Sequence, residues 1–235
     1  LQLCDEIGSN IFAHGCTAMG NDQVRFDQTV RCLGEYEIIA PIRELQDRGG
    51  DIRAFEIEQL QNAGHEVKLE HKRYSINENI LGITWSGSEI DEFQMPAVDA
   101  WKLCKPRTEW PEVPYQAEML IKKGRVVSVN GIEMSGRDIL NLLNNAFGEY
   151  GVGRFIYVGD VVIGLKGRIL FECPAITVLL TAMRALQEVV MTKHQNQFKH
   201  IIAARWAELV YGGFFYEPHK RDLDAYLNSS VESVS

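Results

Sequence analysis

The sequence predicts an α/β protein in three parts: the C-terminal part of a Rossmann-like parallel sheet over residues 1–70, an α+β region over 71–215 and a C-terminal helical segment over 216–235. Three observations predict it. Short apolar runs alternate with helical patterns through the first 70 residues, the βαβαβ rhythm of a parallel sheet. The first of those runs leads into a glycine-rich turn that opens a helix, at the strand end where such sheets hold ligands. Beyond residue 115 the pattern changes to alternating strands and long helices.

In order, Leu1–Ile7 reads as the end of a helix and Ile11–Ala13 as a strand. Gly15, Thr17, Ala18 and Gly20 are too small to pack and form a turn. Asn21 and Asp22 stand where a helix begins, and Val24, Phe26 and Val30 give that helix, Gln23–Leu33, a partly apolar face. Strand Glu37–Pro41 leads to helix Ile52–Asn62, which Gly64 stops, and strand Glu66–Leu69 follows. Three strands are few for such a sheet, and the chain starts at Leu1, so further strands are expected ahead of it. Residues 96–114 hold four of the seven prolines and read as an extended connector. Tyr115–Ile121 and Arg125–Val129 alternate as a hairpin joined at Lys123-Gly124, and Asn130-Gly131 signals a second turn. Ser135 with Asp138 makes a variant capping box for helix Arg137–Phe147, ended by Gly148. Strands run from Arg154 to Phe171, broken at Gly159-Asp160 and near Gly167. Helices Ala175–Thr192 and Gln197–Tyr211 follow, the first with a stripe of Ile176, Leu179, Leu180, Met183, Leu186 and Val190 that suits core packing. A short helix, Arg221–Leu227, precedes a tail expected to fray.

A hydrophobic content of 46% and a charged content of 24% are those of a soluble globular protein. The net charge of −8 argues against a nucleic-acid partner. A membrane role is not expected: the longest helix-like apolar stretch, Ile176 to Met191, is broken by Thr181, Arg184, Gln187 and Glu188. No signal peptide is visible. Cys4, Cys16, Cys32, Cys104 and Cys173 are odd in number and form no CxxC, which suits reduced thiols of a cytoplasmic protein. The histidines form no HExxH, and a metal site is not expected.

Backbone N–H groups at a strand–turn–helix junction favour an anion. Asn21, Asp22 and Arg25 add an amide, a carboxylate and a guanidinium within about one helical turn. That set can hold an amino-acid zwitterion, the carboxylate taking the ammonium and the guanidinium the α-carboxylate. Many such junctions bind nothing, so the bare residue types leave both readings open.

The full string, HGCTAMGNDQVRFD over residues 14–27, resembles the HG-x-TGKGNDQVRFE segment of the argininosuccinate synthase family. Five further segments are similar to that family in the same order: Ile38–Arg43 (its VIAPWR), Tyr74–Asn79 (YSIDxN), Gly151–Arg154 (GVGR), Gly164–Arg168 with Phe171–Ala175 (G-x-KSR…YE-x-PA), and Ala207–Phe214 (AELVYxGxW). The resemblance implies that residues 71–215 are a synthetase domain binding citrulline and aspartate, and that 216–235 serve oligomerisation in a homotetramer. It implies ATP-dependent condensation of citrulline with aspartate to argininosuccinate, releasing AMP and pyrophosphate, with Mg²⁺ arriving on ATP and no tightly bound cofactor. By the same resemblance Gly15 contacts ATP, and Thr17, Asn21 and Asp22 hold aspartate, with Asp22 the catalytic candidate. Asn21, Arg25, Ser75 and Thr84 hold citrulline, Thr84 standing where the family usually has Ser.

The departures are specific. Ala18-Met19 replaces the usual Gly-Lys, Gly159 stands where a citrulline-contacting glutamate is usual, and Phe171 replaces a tyrosine. Asp160 could supply a carboxylate from the next position, although one residue along a strand turns a side chain to the other face. The family's SGGLDTS loop is absent from these residues, so the chain alone is expected to be inactive. Two other readings stand beside the ligase: a non-catalytic paralogue that binds an amino acid or assembles with a partner, and a different ATP-using amide or thio-transfer enzyme.

Overall fold

The computed structural model describes residues 1–47, 52–66, 74–92, 94–97, 100–164, 166–232 and 234. It divides into two compact units, one of Leu1–His71, Asp160–Leu165 and Ala203–Asp224, the other of Lys72–Gly159, Lys166–Ile202 and Ala225–Ser235.

The first unit begins with α1 (Gln2–Ile7), closed by Gly8 in the left-handed conformation. Strands β1 (Ile11–Ala13) and β2 (Glu37–Ile39) pair in parallel, Ile11 opposite Glu37 and Ala13 opposite Ile39. The ladder continues past both ends, Glu37 N–H donating to the Asn10 carbonyl (2.8 Å) and His14 N–H to the Ile39 carbonyl (3.0 Å). Helix α2 (Asn21–Leu33) makes the crossover between them and buries Val30 and Gln23. The strand expected to reach Pro41 stops at Ile39, because Pro41 opens α3 (Pro41–Asp47). Proline has no N–H to give a ladder, and its fixed φ suits a first helical turn. Helix α4 (Ile52–Asn62) follows, and Gly64 has a φ of +83° just beyond it. The expected strand Glu66–Leu69 lies largely outside the described residues.

The second unit carries a four-stranded sheet, β3 (Ser75–Asn79), β4 (Gly82–Ser86), β9 (Lys166–Glu172) and β8 (Arg154–Asp160) in spatial order, with Asp160 itself counted in the first unit. A three-stranded sheet is built from β5 (Met119–Lys122), β6 (Arg125–Val129) and β7 (Ile132–Glu133). Two expectations need correction here. Residues 115–118 precede the strand instead of belonging to it. The break between β8 and β9 falls at residues 161–164, not at Gly159-Asp160 or Gly167, since Gly164 takes the positive φ of +85° that the turn needs.

Ile83, Trp85 and Leu170 point to one side of the larger sheet and bury against Ile90. On the same side Glu172 is wholly buried. Its carboxylate accepts from Trp85 Nε1 (3.1 Å) and from the backbone N–H groups of Lys102 (3.0 Å), Leu103 (2.7 Å) and Cys104 (2.7 Å). That is how the proline-rich connector, which has little regular structure of its own, is fastened. Buried charge is tolerable only when hydrogen-bonded this fully.

Helix α5 (Gly136–Gly148) has the expected cap, Ser135 Oγ accepting the Asp138 N–H at 3.2 Å and donating to its carboxylate at 2.7 Å. Gly148 is inside the helix, not a left-handed stop: a Cβ there would lie 2.4 Å from the Leu103 carbonyl. Leu143 and Ile139 of α5 pack with Val129 of β6 and Ala175 of α6 (Pro174–Val190). Helices α7 (Lys193–Tyr211) and α8 (Pro218–Val231) complete the chain. The last helix is longer than expected and takes in Asn228–Val231 of the expected tail. Val234 is fully buried and its carbonyl accepts the Gly124 N–H at 2.9 Å.

Candidate functional site

The junction between β1 and α2 is built as the glycines require. Gly20 caps α2 in extended conformation and no side chain caps the helix, so its first N–H groups are left to the turn. Gly15 and Thr17 are exposed, and a Cβ on Gly15 would meet nothing within 4 Å. The alternate residues are held from beneath. Cys16 N–H donates to His14 Nδ1 (3.2 Å), Ala18 N–H donates to Gln46 Oε1 (2.6 Å), and Gln23 Nε2 donates to the Ala18 carbonyl. The turn therefore presents Gly15 and Thr17 outward while Cys16 and Ala18 are anchored.

The anchor is itself anchored. The His14 side chain is only 5% exposed and stacks on Phe26, ring centroids 5.6 Å apart. Its Nε2 lies 3.0 Å from Asp27 Oδ1, and Arg43 grips the same carboxylate with both terminal nitrogens (NH1 to Oδ2 2.9 Å, NH2 to Oδ1 3.2 Å). Burial pushes the Asp27 carboxyl up, but the hydrogen bonds from Arg43 and His14 outweigh it and leave it below its ordinary value.

Asn21, Asp22 and Arg25 lie along the first turn of α2, with Arg25 NH1 donating to Asp22 Oδ1 at 3.3 Å. Asp22 is well exposed, whereas Asn21 is fixed at both ends of its amide. Its Nδ2 donates to the Tyr211 hydroxyl (2.8 Å) and its Oδ1 accepts the Val162 N–H (2.6 Å). Tyr211 in turn donates to the Asp160 carbonyl (3.2 Å), and its own carbonyl accepts from Arg25 Nε (3.0 Å). The Arg25 guanidinium sits over the Tyr211 ring, 5.0 Å from its centroid, a cation–π contact. Gly213 lets α2 approach this closely: its φ is +86°, and a Cβ there would come 3.1 Å from Arg25 Cα. Asp160 is thus joined to Asn21 through its backbone carbonyl and Tyr211.

In the second unit, β3 and β4 pair with Ser75 opposite Ser86 and Asn77 opposite Thr84, and Thr84 faces Phe171 across to β9. Directly opposed residues share a face and alternate residues along a strand do too. Ser75, Asn77, Thr84 and Ser86 therefore form a polar patch on the face away from Trp85 and Leu170, with Phe171 beside it. Ser75 and Thr84 share one surface of the sheet. Asn77 and Ser86 complete it, and strand alternation is the signal that could have found them. Gly159 has a neighbour instead of a side chain: a Cβ there would lie 2.1 Å from the Tyr157 hydroxyl, so the phenol occupies that space.

His14, Gln23, Asp27, Arg43, Gln46 and Tyr211 frame the turn without a local sequence signal of that role. Arg43 and Tyr211 fall in segments that carry the family resemblance, but nothing local says what they touch. Among the described residues no group of three or more His, Cys, Asp or Glu could hold a metal ion, and no helix is long and apolar enough to cross a membrane.

These features define a mixed α/β protein with parallel and antiparallel sheets and a glycine-containing turn between its first strand and the helix that follows. Residues 1–60 match the family model for the arginosuccinate synthase N-terminal HUP domain, and residues 74–235 match that for the arginosuccinate synthase C-terminal domain. The argininosuccinate synthase of Xylella fastidiosa is 51% identical over 235 residues, all of this chain and 59% of the relative. That of Xanthomonas campestris is 48% identical over the same 235 residues, again 59% of the relative, and that of the archaeon Methanocaldococcus jannaschii is 36% identical over 239 residues. The chain belongs to the argininosuccinate synthase family, and it spans 59% of the length of these relatives.

Proposed function

We propose that the chain works as part of an ATP-dependent ligase that condenses citrulline with aspartate to argininosuccinate, releasing AMP and pyrophosphate in arginine biosynthesis. The observation that carries this reading is the turn at residues 15–20, its backbone held from below and open above, beside Asn21, Asp22 and Arg25. Gly15 lines the path of the ATP phosphates, with Mg²⁺ arriving on them. Thr17, Asn21 and Asp22 take aspartate, Asp22 facing its amine as the catalytic carboxylate. By the family resemblance Asn21, Arg25, Ser75 and Thr84 take citrulline, with Asp160 a further contact. In the reaction the ureido oxygen attacks the α-phosphorus, pyrophosphate leaves, and the amine of aspartate then displaces AMP. The work asked of the protein is positioning and electrostatic complementarity.

The same reading places residues 1–70 at the C-terminal side of a Rossmann-like sheet, residues 71–215 in the synthetase domain and residues 216–235 in an oligomerisation segment of a homotetramer. It expects a cytoplasmic enzyme with no tightly bound cofactor and no nucleic-acid or membrane partner.

Calorimetric titration tests the assignment of Asp22. Asp22→Ala should weaken aspartate binding at least tenfold and leave ATP binding within about twofold, the loss of one charge-assisted contact. Unchanged aspartate affinity would overturn it. A second reading, an amino-acid-binding paralogue without catalysis, is favoured by Gly159, where Tyr157 fills the space expected of a carboxylate. It predicts aspartate binding without pyrophosphate release.

A further inference from the structure

We infer that His14, Asp27 and Arg43 are a positioning relay for the ligand turn, with His14 held as the tautomer whose Nδ1 is an acceptor. The inference rests on the functional reading above for its effect on ligands, but its structural content stands alone.

Cys16 N–H points at His14 Nδ1 at 3.2 Å, so that nitrogen must be unprotonated to accept it. The other ring nitrogen, Nε2, lies 3.0 Å from Asp27 Oδ1 and so carries the proton and donates it. Asp27 can impose this because Arg43 holds its carboxylate in a two-point grip from α3. Ring orientation is fixed independently by stacking on Phe26. Arg43 NH2 also lies 3.2 Å from Nε2, but it can only donate, and Asp27 Oδ1 at the same 3.2 Å takes its hydrogen, so the carboxylate oxygen accepts from both Nε2–H and the guanidinium. The charged groups facing His14 are therefore Asp27 from α2 and Arg43 from α3. Arg43 NH1 reaches Gln23 Oε1 at 3.5 Å, and Gln23 binds the Ala18 carbonyl. One guanidinium thus governs both anchored positions of the turn, Cys16 through His14 and Ala18 through Gln23. The exposed positions next to them, Gly15 and Thr17, have their backbone direction set by residues that touch no ligand.

Two substitutions separate the halves of the relay. His14→Asn can place a carboxamide oxygen near the Nδ1 position and still accept the Cys16 N–H. His14→Gln can reach Asp27 as a donor but leaves Cys16 without its acceptor. In the protein expressed from its native coding sequence, amide hydrogen exchange at Cys16 should speed up about tenfold in His14→Gln and stay within about threefold of wild type in His14→Asn, the effect of one hydrogen bond. Exchange at Val30, in the buried part of α2, reports that the fold is intact. The KM for aspartate should rise about tenfold in His14→Gln with kcat within about twofold, and His14→Asn should restore it. Unchanged Cys16 exchange in His14→Gln, or equal losses in both variants, would overturn the relay. If His14→Gln does not fold, Arg43→Gln decides: it releases Asp27 and Gln23 together, so faster Cys16 exchange with Val30 unchanged supports the relay and unchanged Cys16 exchange overturns it. Should the wild-type protein release no pyrophosphate, the functional reading fails, and the exchange of Cys16 alone decides the relay.

Discussion

Replacing Glu172 with glutamine should destabilise the second unit by about 3–5 kcal/mol, a large effect for a change of one oxygen to one NH₂. The figure follows from the four donors around the carboxylate. Oε1 accepts from Trp85 Nε1 (3.1 Å) and Lys102 N–H (3.0 Å), and Oε2 accepts from Leu103 N–H and Cys104 N–H (2.7 Å each). A carboxamide offers one oxygen. Whichever way it is turned, two N–H groups face an NH₂ in a site with no access to water. An unsatisfied buried donor costs about 1–3 kcal/mol, and two of them, softened by local shifts, give the stated range. The assay is urea unfolding followed by tryptophan fluorescence, with the slope checked for constancy so that the midpoint reports stability. A second change tests the geometry. Trp85→Phe removes a donor from the Oε1 side, so the amide of Glu172→Gln can turn its NH₂ that way with less conflict. The double variant should be less destabilised than the sum of the singles by about 1 kcal/mol. A loss below about 1 kcal/mol for Glu172→Gln, or strict additivity, would refute the reasoning.

Three further outcomes are expected. Cys104 is buried, its thiol pushed up to about 12 by burial and then by the Glu172 charge, and Sγ lies 3.1 Å from the Val152 carbonyl. At pH 8 it should resist alkylation until denaturant is added, while exposed Cys32 reacts at once; mass spectrometry of the labelled peptides reads this directly. The Asp27 carboxyl, held below its ordinary 3.8 in the fold, contributes stability that is present at neutral pH and lost as pH falls through the folded value. The stability gap between wild type and Asp27→Asn should therefore be constant from pH 7 to about 5 and shrink below about 4, and a gap that widens in acid would reverse the sign of the argument. Tyr211→Phe removes the acceptor of the Asn21 amide and the donor to the Asp160 carbonyl. Affinity for the amino acid at Asn21 should fall about fivefold, since the Val162 contact still holds the other end of the amide.

Local pattern made the turn and α2 readable: small residues over 15–20, then an apolar face at helical spacing. The cap at Ser135 and Asp138 was readable for the same reason, since both partners lie within one turn. What was not readable is what distant chain supplies. Tyr211 is 190 positions from Asn21, and the pair is a contact only after α7 is placed. Glu172 sits in a segment resembling the family, but its four donors come from Trp85 and from the connector, and no strand periodicity announces a carboxylate turned inward. Gly148 looks like any helix stop until the Leu103 carbonyl is seen against it. Pro41 reads as part of the preceding strand because an apolar run does not distinguish a strand end from a proline-led helix start. The site divides likewise. Asn21, Asp22 and Arg25 stand together in sequence, whereas the His14, Asp27 and Arg43 framework beneath the turn needs α3 in place.

Pyrophosphate release by the protein expressed from its native coding sequence, with ATP, citrulline and aspartate each omitted in turn, tests the central claim most directly. The account predicts release that needs all three and that falls at least a hundredfold in Asp22→Ala, the loss of a contact made to the reacting amine. Release that persists without citrulline, or none with all three present, would contradict it.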